Sequence, residues 1–545
     1  MEVLKNVKKF FDEFNVIEKK KSIIVIFLSS IISVCINICL PKITQCIVDN
    51  GLLIKNMHLV IKWTILFAIV FLGQILINYI REIYRIDIYL SVKKNLTRNI
   101  LFRLWNAKYK YFINKKKAEL ITNINYDAES IASIFDNEML FGITQIFNII
   151  GGIVGLVTIN YRMLIGIFLL FPFKVMLVKK FAIENHKYSN EYIKQMESTF
   201  RFEEDSLDGI KEIKIYGLQK EFQKKYADIQ EDMYVKEKKL HILPQLNIAI
   251  DNFLAQICVA YIYIAGIFFV LQNQMTIGSI IAFVTYSSYI LGPISTILNI
   301  GYKLSGVRPS MDRYRTMYYL DIEESGVKQY ISKKNNINNN ILMDKITFYY
   351  DSQNAIIKNF CAEIKEKTIT AISGDNGKGK TTLINLLLRL LDVKSGSIKI
   401  GGVDVNNFLL NEYRSKVSFV GQEPFLFCDS LKNNLTLYAD IEENRIRDVC
   451  QKCGLETLIK EVSLEYNVGD RGMKLSGGQR QKIALARALL SEREIIILDE
   501  ISSNLDEKSK YVLCNILLQI KKEKTVIIVS HDKEILNIAD ARIKL

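Results

Sequence analysis

Gly374-Asp375-Asn376-Gly377-Lys378-Gly379-Lys380-Thr381-Thr382 decides how this chain is read. It fits G-x-x-x-x-G-K-[ST], with Gly374, Gly379, Lys380 and Thr381 at the fixed places. Glycines let the backbone turn so that successive N–H groups point inward at phosphate oxygens. In such a loop Lys380 reaches the β- and γ-phosphates and the Thr381 hydroxyl holds Mg²⁺. The flanks agree. A β-type run, Thr368–Ser373, precedes the loop, and Thr382–Leu391 reads as the helix that continues it. Strand, glycine loop and helix N-terminus together make an anion site.

Two further stretches belong to the same chemistry. Leu475-Ser476-Gly477-Gly478-Gln479-Arg480-Gln481 begins 95 residues after Lys380 and is followed by a helical run. Then Ile495-Ile-Ile-Leu-Asp499-Glu500 reads as a buried central strand whose carboxylates emerge at its C-terminal edge. Asp499 there would hold Mg²⁺, and Glu500 would orient and deprotonate an attacking water. Thr525-Val-Ile-Ile-Val-Ser-His531 is a second buried strand, delivering His531 at its end.

The first 300 residues are of another kind. Met139–Tyr161 and Asn252–Tyr302 contain no charged residue, and a bilayer-crossing helix needs about 20 such residues. Six spans are expected, at 22–46, 60–80, 139–161, 163–180, 245–271 and 276–302. The net charge of +14 does not imply a nucleic-acid partner, because the basic residues are placed as a topology signal. Six lysines precede the first apolar run, and eleven lysines and arginines lie between Arg81 and Lys117, whereas the intervening short loops are poor in them. This asymmetry puts both termini and the long loops in the cytoplasm. The nine cysteines form no zinc pattern. Cys450-Gln-Lys-Cys453 lacks a second pair and reads as two half-buried helix cysteines.

Within the long connections, 81–138 and 181–244, the stretches Arg81–Trp105 and Asn190–Tyr234 are rich in Lys, Glu, Leu, Ile and Gln. They read as helices continuing past the head groups, turning back near 114–122 and 204–210. Ser332–Asn340, in which six of nine residues are Asn or Ser, marks a boundary. The organisation expected is a transmembrane domain over 1–320, a linker over 321–340 and a nucleotide-binding domain over 341–545. The fold class is therefore a multidomain membrane protein: an all-α six-helix transmembrane domain with long cytoplasmic extensions, followed by an α/β P-loop ATPase domain.

With these motifs in place, the chain resembles an ATP-binding cassette (ABC) transporter of the exporter type. The likeness rests on specific motifs in 341–545 and on architecture in 1–320. It implies ATP and Mg²⁺ as ligands, a lipid bilayer around the spans, and ATP-driven export of an amphipathic or hydrophobic cargo. An ATP-regulated channel or sensor subunit on the same fold is the alternative. Leu475–Gln479 would be the signature loop that closes on ATP held by a second half-transporter, either an identical copy or a degenerate partner. Tyr350 matches the aromatic that stacks on adenine, with Tyr349 competing for that place. Gln422 matches the glutamine that senses Mg²⁺ and the membrane domain. Tyr466–Gly472 resembles the segment touching the cytoplasmic helices, and Ser503-Asn-Leu-Asp506 the loop linking two sites. Lys115–Thr122 and Asp205–Ile210 are placed like coupling helices. Three departures stand out: Asn504 replaces a small residue, Lys378 adds a cation to the phosphate loop, and the chain stops at Leu545 inside a late strand.

Asn247, Asp251, Asn252 and Gln256 open the fifth expected span and are read as one polar face. Lys174, in the fourth span, lies within reach of Asp251. Two readings stand: an ion pair shaping a water-accessible cavity, or two charges reaching head groups separately.

Overall fold

Apolar runs with no water to satisfy their backbone close their hydrogen bonds internally, and the first half of the chain folds as very long helices. The computed structural model describes residues 2–15, 17–113, 115, 117–323, 339–350, 354–375, 377–502 and 505–545. The expected linker therefore lies mostly outside the described residues. The chain divides into two compact units, Met1–Trp105 with Lys117–Leu320, and Asn106–Lys116 with Asp321–Leu545.

In the first unit the helices are α1 (Glu2–Glu13), α2 (Lys20–Cys46), α3 (Met57–Trp105), α4 (Lys117–Ala132), α5 (Asn137–Asp208), α6 (Ile210–Ile215), α7 (Gln219–Leu271) and α8 (Ile277–Tyr318). Among the described residues, five stretches are long and apolar enough to cross a membrane: Lys20–Leu52, Met57–Trp105, Thr144–Leu169, Gln219–Leu271 and Ile277–Ile294. The expected third and fourth spans both fall on α5. Its 72 residues would measure about 108 Å if straight. They are not straight. Asn160 leaves helical geometry (φ −161°, ψ 104°), and its Oδ1 accepts from the backbone N–H of Arg162 at 3.0 Å. Asn160 thus caps a new helix.

The packing shows that α5 doubles back there. Before the break, Gly142 and Gly155 face Ile300 and Tyr286, so this arm runs antiparallel to α8. After it, Gly166 and Lys174 face Tyr261 and Asp251, so the second arm runs antiparallel to α7. Since α7 and α8 are joined by a five-residue turn and pack Gly266 against Ile280, the two arms of α5 point in opposite directions. A Cβ on Gly155 would stand 2.6 Å from the Tyr286 ring, so the close approach requires glycine. Leu156, Met163, Cys258, Ile262, Phe283 and Ile290 fill the seam.

Polar side chains inside this unit pair with one another. Asn37 donates to Asn148 Oδ1 at 3.2 Å, and Asn148 donates to Gln145 Oε1 at 3.0 Å, joining α2 to α5. Lys174 Nζ lies 3.3 Å from Asp251 Oδ1 and donates to Leu291 O at 2.6 Å. The single polar face does not hold. At about 100° per residue Gln256 lies opposite Asn247, and Asn252 and Gln256 are exposed while Asp251 is half-buried. Of the two expected turn-backs, the first begins a helix at Lys117, residues 114 and 116 lying outside the described residues. The second ends α5 at Asp208 and restarts at Ile210 after Gly209.

The second unit holds two sheets. One is antiparallel, in the order β2-β1-β4-β5: β1 (Ile341–Phe348), β2 (Ile357–Ile364), β4 (Ser395–Ile400) and β5 (Val403–Asp404). The other is parallel, in the order β6-β7-β8-β3-β9: β3 (Ile369–Ser373), β6 (Val417–Val420), β7 (Ile495–Asp499), β8 (Thr525–Val529) and β9 (Ala541–Lys544). The apolar stretches of β3, β7 and β8 are buried throughout, as strands covered on both faces must be. The helix after the phosphate loop, α9, covers Lys380–Leu387 rather than reaching Leu391. Arg389 adopts φ +50° just beyond it, a left-handed residue that stops the helix.

Candidate nucleotide site

Because β3, β6, β7 and β8 are parallel, the loops that follow them open on the same edge of the sheet. That edge collects Gly374–Thr382 after β3, Gln422 after β6, Asp499 and Glu500 at the end of β7, and His531 after β8. The sequence separates these residues by up to 157 positions, and the topology assembles them.

Gly377 (φ +81°) and Gly379 (φ +93°) are left-handed, and a Cβ on Gly379 would stand 2.8 Å from Ile356 Cγ2. Asp375, Lys378 and Thr381 are exposed. Asn376 lies outside the described residues. Lys380, 8 % exposed, donates to Gly374 O at 2.7 Å and meets His531 Nε2 at 2.7 Å. Tyr350 Oη lies 3.4 Å from Thr382 Oγ1, and its ring packs edge-on against Phe348 at 5.0 Å. Tyr349 instead takes Lys394 over its ring at 5.7 Å. Of the two tyrosines, Tyr350 is the one bonded to the phosphate-loop helix.

Gln422 Nε2 donates to Glu500 Oε2 at 2.7 Å. Glu500 is itself left-handed (φ +49°), and its N–H donates to Val529 O at 2.9 Å, so the turn that aims the carboxylate is tied to the strand leading to His531. Burial pushes the Asp499 carboxyl up to about 6, the Glu500 charge adds to this, and Lys380 opposes it. One residue escaped the sequence reading. Gln481, buried at 1 % exposure, donates to Gln422 O at 3.4 Å, linking the signature helix to the Gln422 loop. Its position inside the quoted motif was the available signal.

Ser476 caps the helix Gly477–Leu490 in a reciprocal box with Gln479. Leu475 is buried, and its carbonyl accepts from Arg480 at 2.9 Å. Among the described residues, the hydrogen bonds of Leu475–Gln479 stay within the motif and its flanks rather than reaching Gly374–Thr382. Ser503 and Asn504 lie outside the described residues, while Asp506 caps the next helix through Ser509 N–H. Cys450 and Cys453 are fully buried, which pushes their thiols to about 11 and about 12. No cluster of three His, Cys, Asp or Glu ligands occurs among the described residues.

The comparisons with known proteins agree with this geometry. Residues 23–294 match the ABC transporter transmembrane region and 357–503 match the ABC transporter cassette. The chain is 26 % identical over 450 residues to ABC transporter B family member 1 of Dictyostelium discoideum, covering 80 % of this chain and 48 % of that longer protein. It is 27 % identical to the multidrug resistance-like ATP-binding protein MdlA of Buchnera aphidicola, covering 97 % and 92 % of the two chains. A bacterial Atm1-family ABC exporter solved with ATP bound shares the fold at a TM-score of 0.82 and 19 % identity, covering 97 % and 94 %. Membrane-crossing helices fused to an ATP-hydrolysing cassette in one polypeptide place this chain in the ABC transporter family.

Proposed function

We propose that the protein exports an amphipathic or hydrophobic cargo across the cytoplasmic membrane, powered by paired cassettes that close on two ATP molecules. The domains would be 1–320 for the membrane and 341–545 for the cassette, with six crossings once the two arms of α5 are counted separately, and both termini cytoplasmic. The carrying observation is the Gln422–Glu500 contact beside Asp499 at the end of β7. It holds a carboxylate in reach of the strand edge where the phosphate loop also opens.

The residues suit Mg²⁺. A carboxyl raised to about 6 by burial is one that a cation would keep ionised, and the Thr381 hydroxyl is exposed in the first turn of α9. Thr381, Gln422 and Asp499 would hold the ion, which would neutralise charge on the phosphates. Lys380 would exchange Gly374 O and His531 for phosphate oxygens. Glu500 would take the proton of the attacking water, and His531, released from Lys380, would stabilise the terminal phosphate. Tyr350 would stack on adenine. Leu475–Gln479 would complete the site of the opposite cassette, so two copies of this chain suffice.

Inside-out vesicles containing the protein test this reading. ATP should drive uptake of a member of a panel of fluorescent amphipathic peptides, lipids and hydrophobic dyes, and Lys380→Ala should abolish it. ATP hydrolysis without uptake of any member, and without stimulation by any, would contradict export.

A further inference from the structure

Arg414 is held at two ends. It sits in the last turn of the helix Leu410–Lys416, and its guanidinium donates from Nη2 to Arg389 O at 2.9 Å and from Nε to Leu388 O at 3.5 Å. Tyr413, one residue earlier and buried, donates to Leu387 O. These are the carbonyls left open where α9 stops, and α9 carries the phosphate loop at its other end, about 12 Å away. The same guanidinium grips Glu323 with both arms, Nη1 to Oε2 at 2.6 Å and Nη2 to Oε1 at 2.9 Å.

Glu323 belongs to a short strap. Ala107 and Ile322 form an antiparallel bridge. Lys108 N–H donates to Asp321 O, and Glu323 N–H donates to Asn106 O, each at 2.9 Å. Residues 106–108 follow α3 directly and 321–323 follow α8 closely. The chain leaving two long helices is thus tied together at one point, and that point is bonded to the C-terminal carbonyls of the phosphate-loop helix. An arginine that only capped α9 would need no carboxylate 91 residues upstream. A bidentate guanidinium–carboxylate pair fixes direction as well as distance, which is what transmission of a small displacement requires.

We propose that Arg414 is a positioning residue that couples the phosphate-loop helix, through Glu323, to the segments leaving α3 and α8. This rests on the ATP-driven reading above. Movement of α9 on nucleotide binding shifts Arg414, and the strap follows because neither bond of the pair can slip alone.

Hydrogen exchange on the full-length protein with and without Mg-ATP tests it, in the Glu500→Gln background and with Glu323→Ala, Glu323→Gln and Arg414→Lys added singly. In the parent, ATP should slow exchange in peptides covering 374–388 and also change it in peptides covering 100–112. Glu323→Ala should leave the ATP effect at 374–388 intact and reduce that at 100–112 by about tenfold, the weight of one charge-assisted pair. Glu323→Gln, which keeps one acceptor, should fall between. Arg414→Lys should resemble Glu323→Ala at 100–112, since an ammonium cannot span both partners. An ATP effect at 100–112 that survives Glu323→Ala unchanged overturns the coupling role. Absence of any ATP effect at 374–388 in the parent overturns the nucleotide site itself.

Discussion

Lys380 Nζ stands 2.7 Å from His531 Nε2 and donates a second bond to Gly374 O. The two residues that would face the terminal phosphate are therefore bonded to each other, as Gln422 and Glu500 are on the neighbouring strand ends. On the proposed function, nucleotide would break the first pair to be held. Lys380→Ala should weaken ATP binding by roughly 10–100-fold, the range of one hydrogen bond to a charged group. His531→Ala should leave binding unchanged or tighter while lowering turnover. Equilibrium titration with a fluorescent ATP analogue checks both. Loss of affinity in His531→Ala equal to that in Lys380→Ala would show that His531 does not compete for the lysine.

Asp499 makes stability depend on pH. Its folded-state carboxyl titrates near 6 because of burial, above the ordinary carboxylate value of about 3.9. The folded state therefore binds the proton more tightly than the unfolded state does. The contribution is fully present below about pH 3.9 and is lost as pH rises through 6. Without nucleotide, Asp499→Asn should raise the melting temperature at pH 7.5, by about half as much at pH 5, and hardly at all below about pH 3.9. Mg-ATP affinity should fall as pH drops through 6, because the proton competes with the cation. A stability gain from Asp499→Asn that is the same at all these pH values would contradict this.

Lys174 and Asp251 form a pair 3.3 Å apart, with side chains 5 % and 21 % exposed. Removing one partner strands a charge that is buried (Lys174) or half-buried (Asp251), at a cost of order 3 kcal/mol, whereas removing both does not. Lys174→Gln combined with Asp251→Asn should therefore be less harmful than the sum of the single changes, with a coupling energy of about 1–3 kcal/mol. Thermal unfolding in detergent and in nanodiscs measures it. Additive effects would mean that the pair contributes nothing beyond two separate anchors.

What was legible in the sequence was the chemistry that depends on local backbone form. The glycines of 374–379 and the apolar runs ending at Asp499 and near His531 each announce a turn or a buried strand, and the parallel sheet then does the assembly. Contacts that join distant segments were mostly not legible, the Lys174–Asp251 pair being the exception. Glu323 and Arg414 meet because α9 ends early, at a residue whose left-handed turn no local pattern announces. The reversal of α5 was legible, by contrast: the expected third and fourth spans part at residue 162, and the helix breaks at Asn160, whose side chain caps the second arm. The polar face of α7 failed for a simpler reason. Spacings of four and five residues drift around a helix, and only Asp251 of Asp251, Asn252 and Gln256 turns inward.

The proposed composite site would need one phosphate loop and one signature loop, and this chain carries sequences that fit both. Purified alone, it should hydrolyse ATP at a steady rate with a mass in nanodiscs of two chains. Inactivity until a different half-transporter is added would contradict the homodimer.

Glu500→Gln is the most direct test of the account. The change keeps the side chain's size and leaves Gln422 a partner but removes the base. Wild-type protein and the variant should bind Mg-ATP equally, while steady-state hydrolysis falls by roughly 10²–10⁴, the usual share of a general base, and ATP accumulates unhydrolysed on a closed dimer. Hydrolysis by Glu500→Gln at the wild-type rate would contradict the assignment of the site.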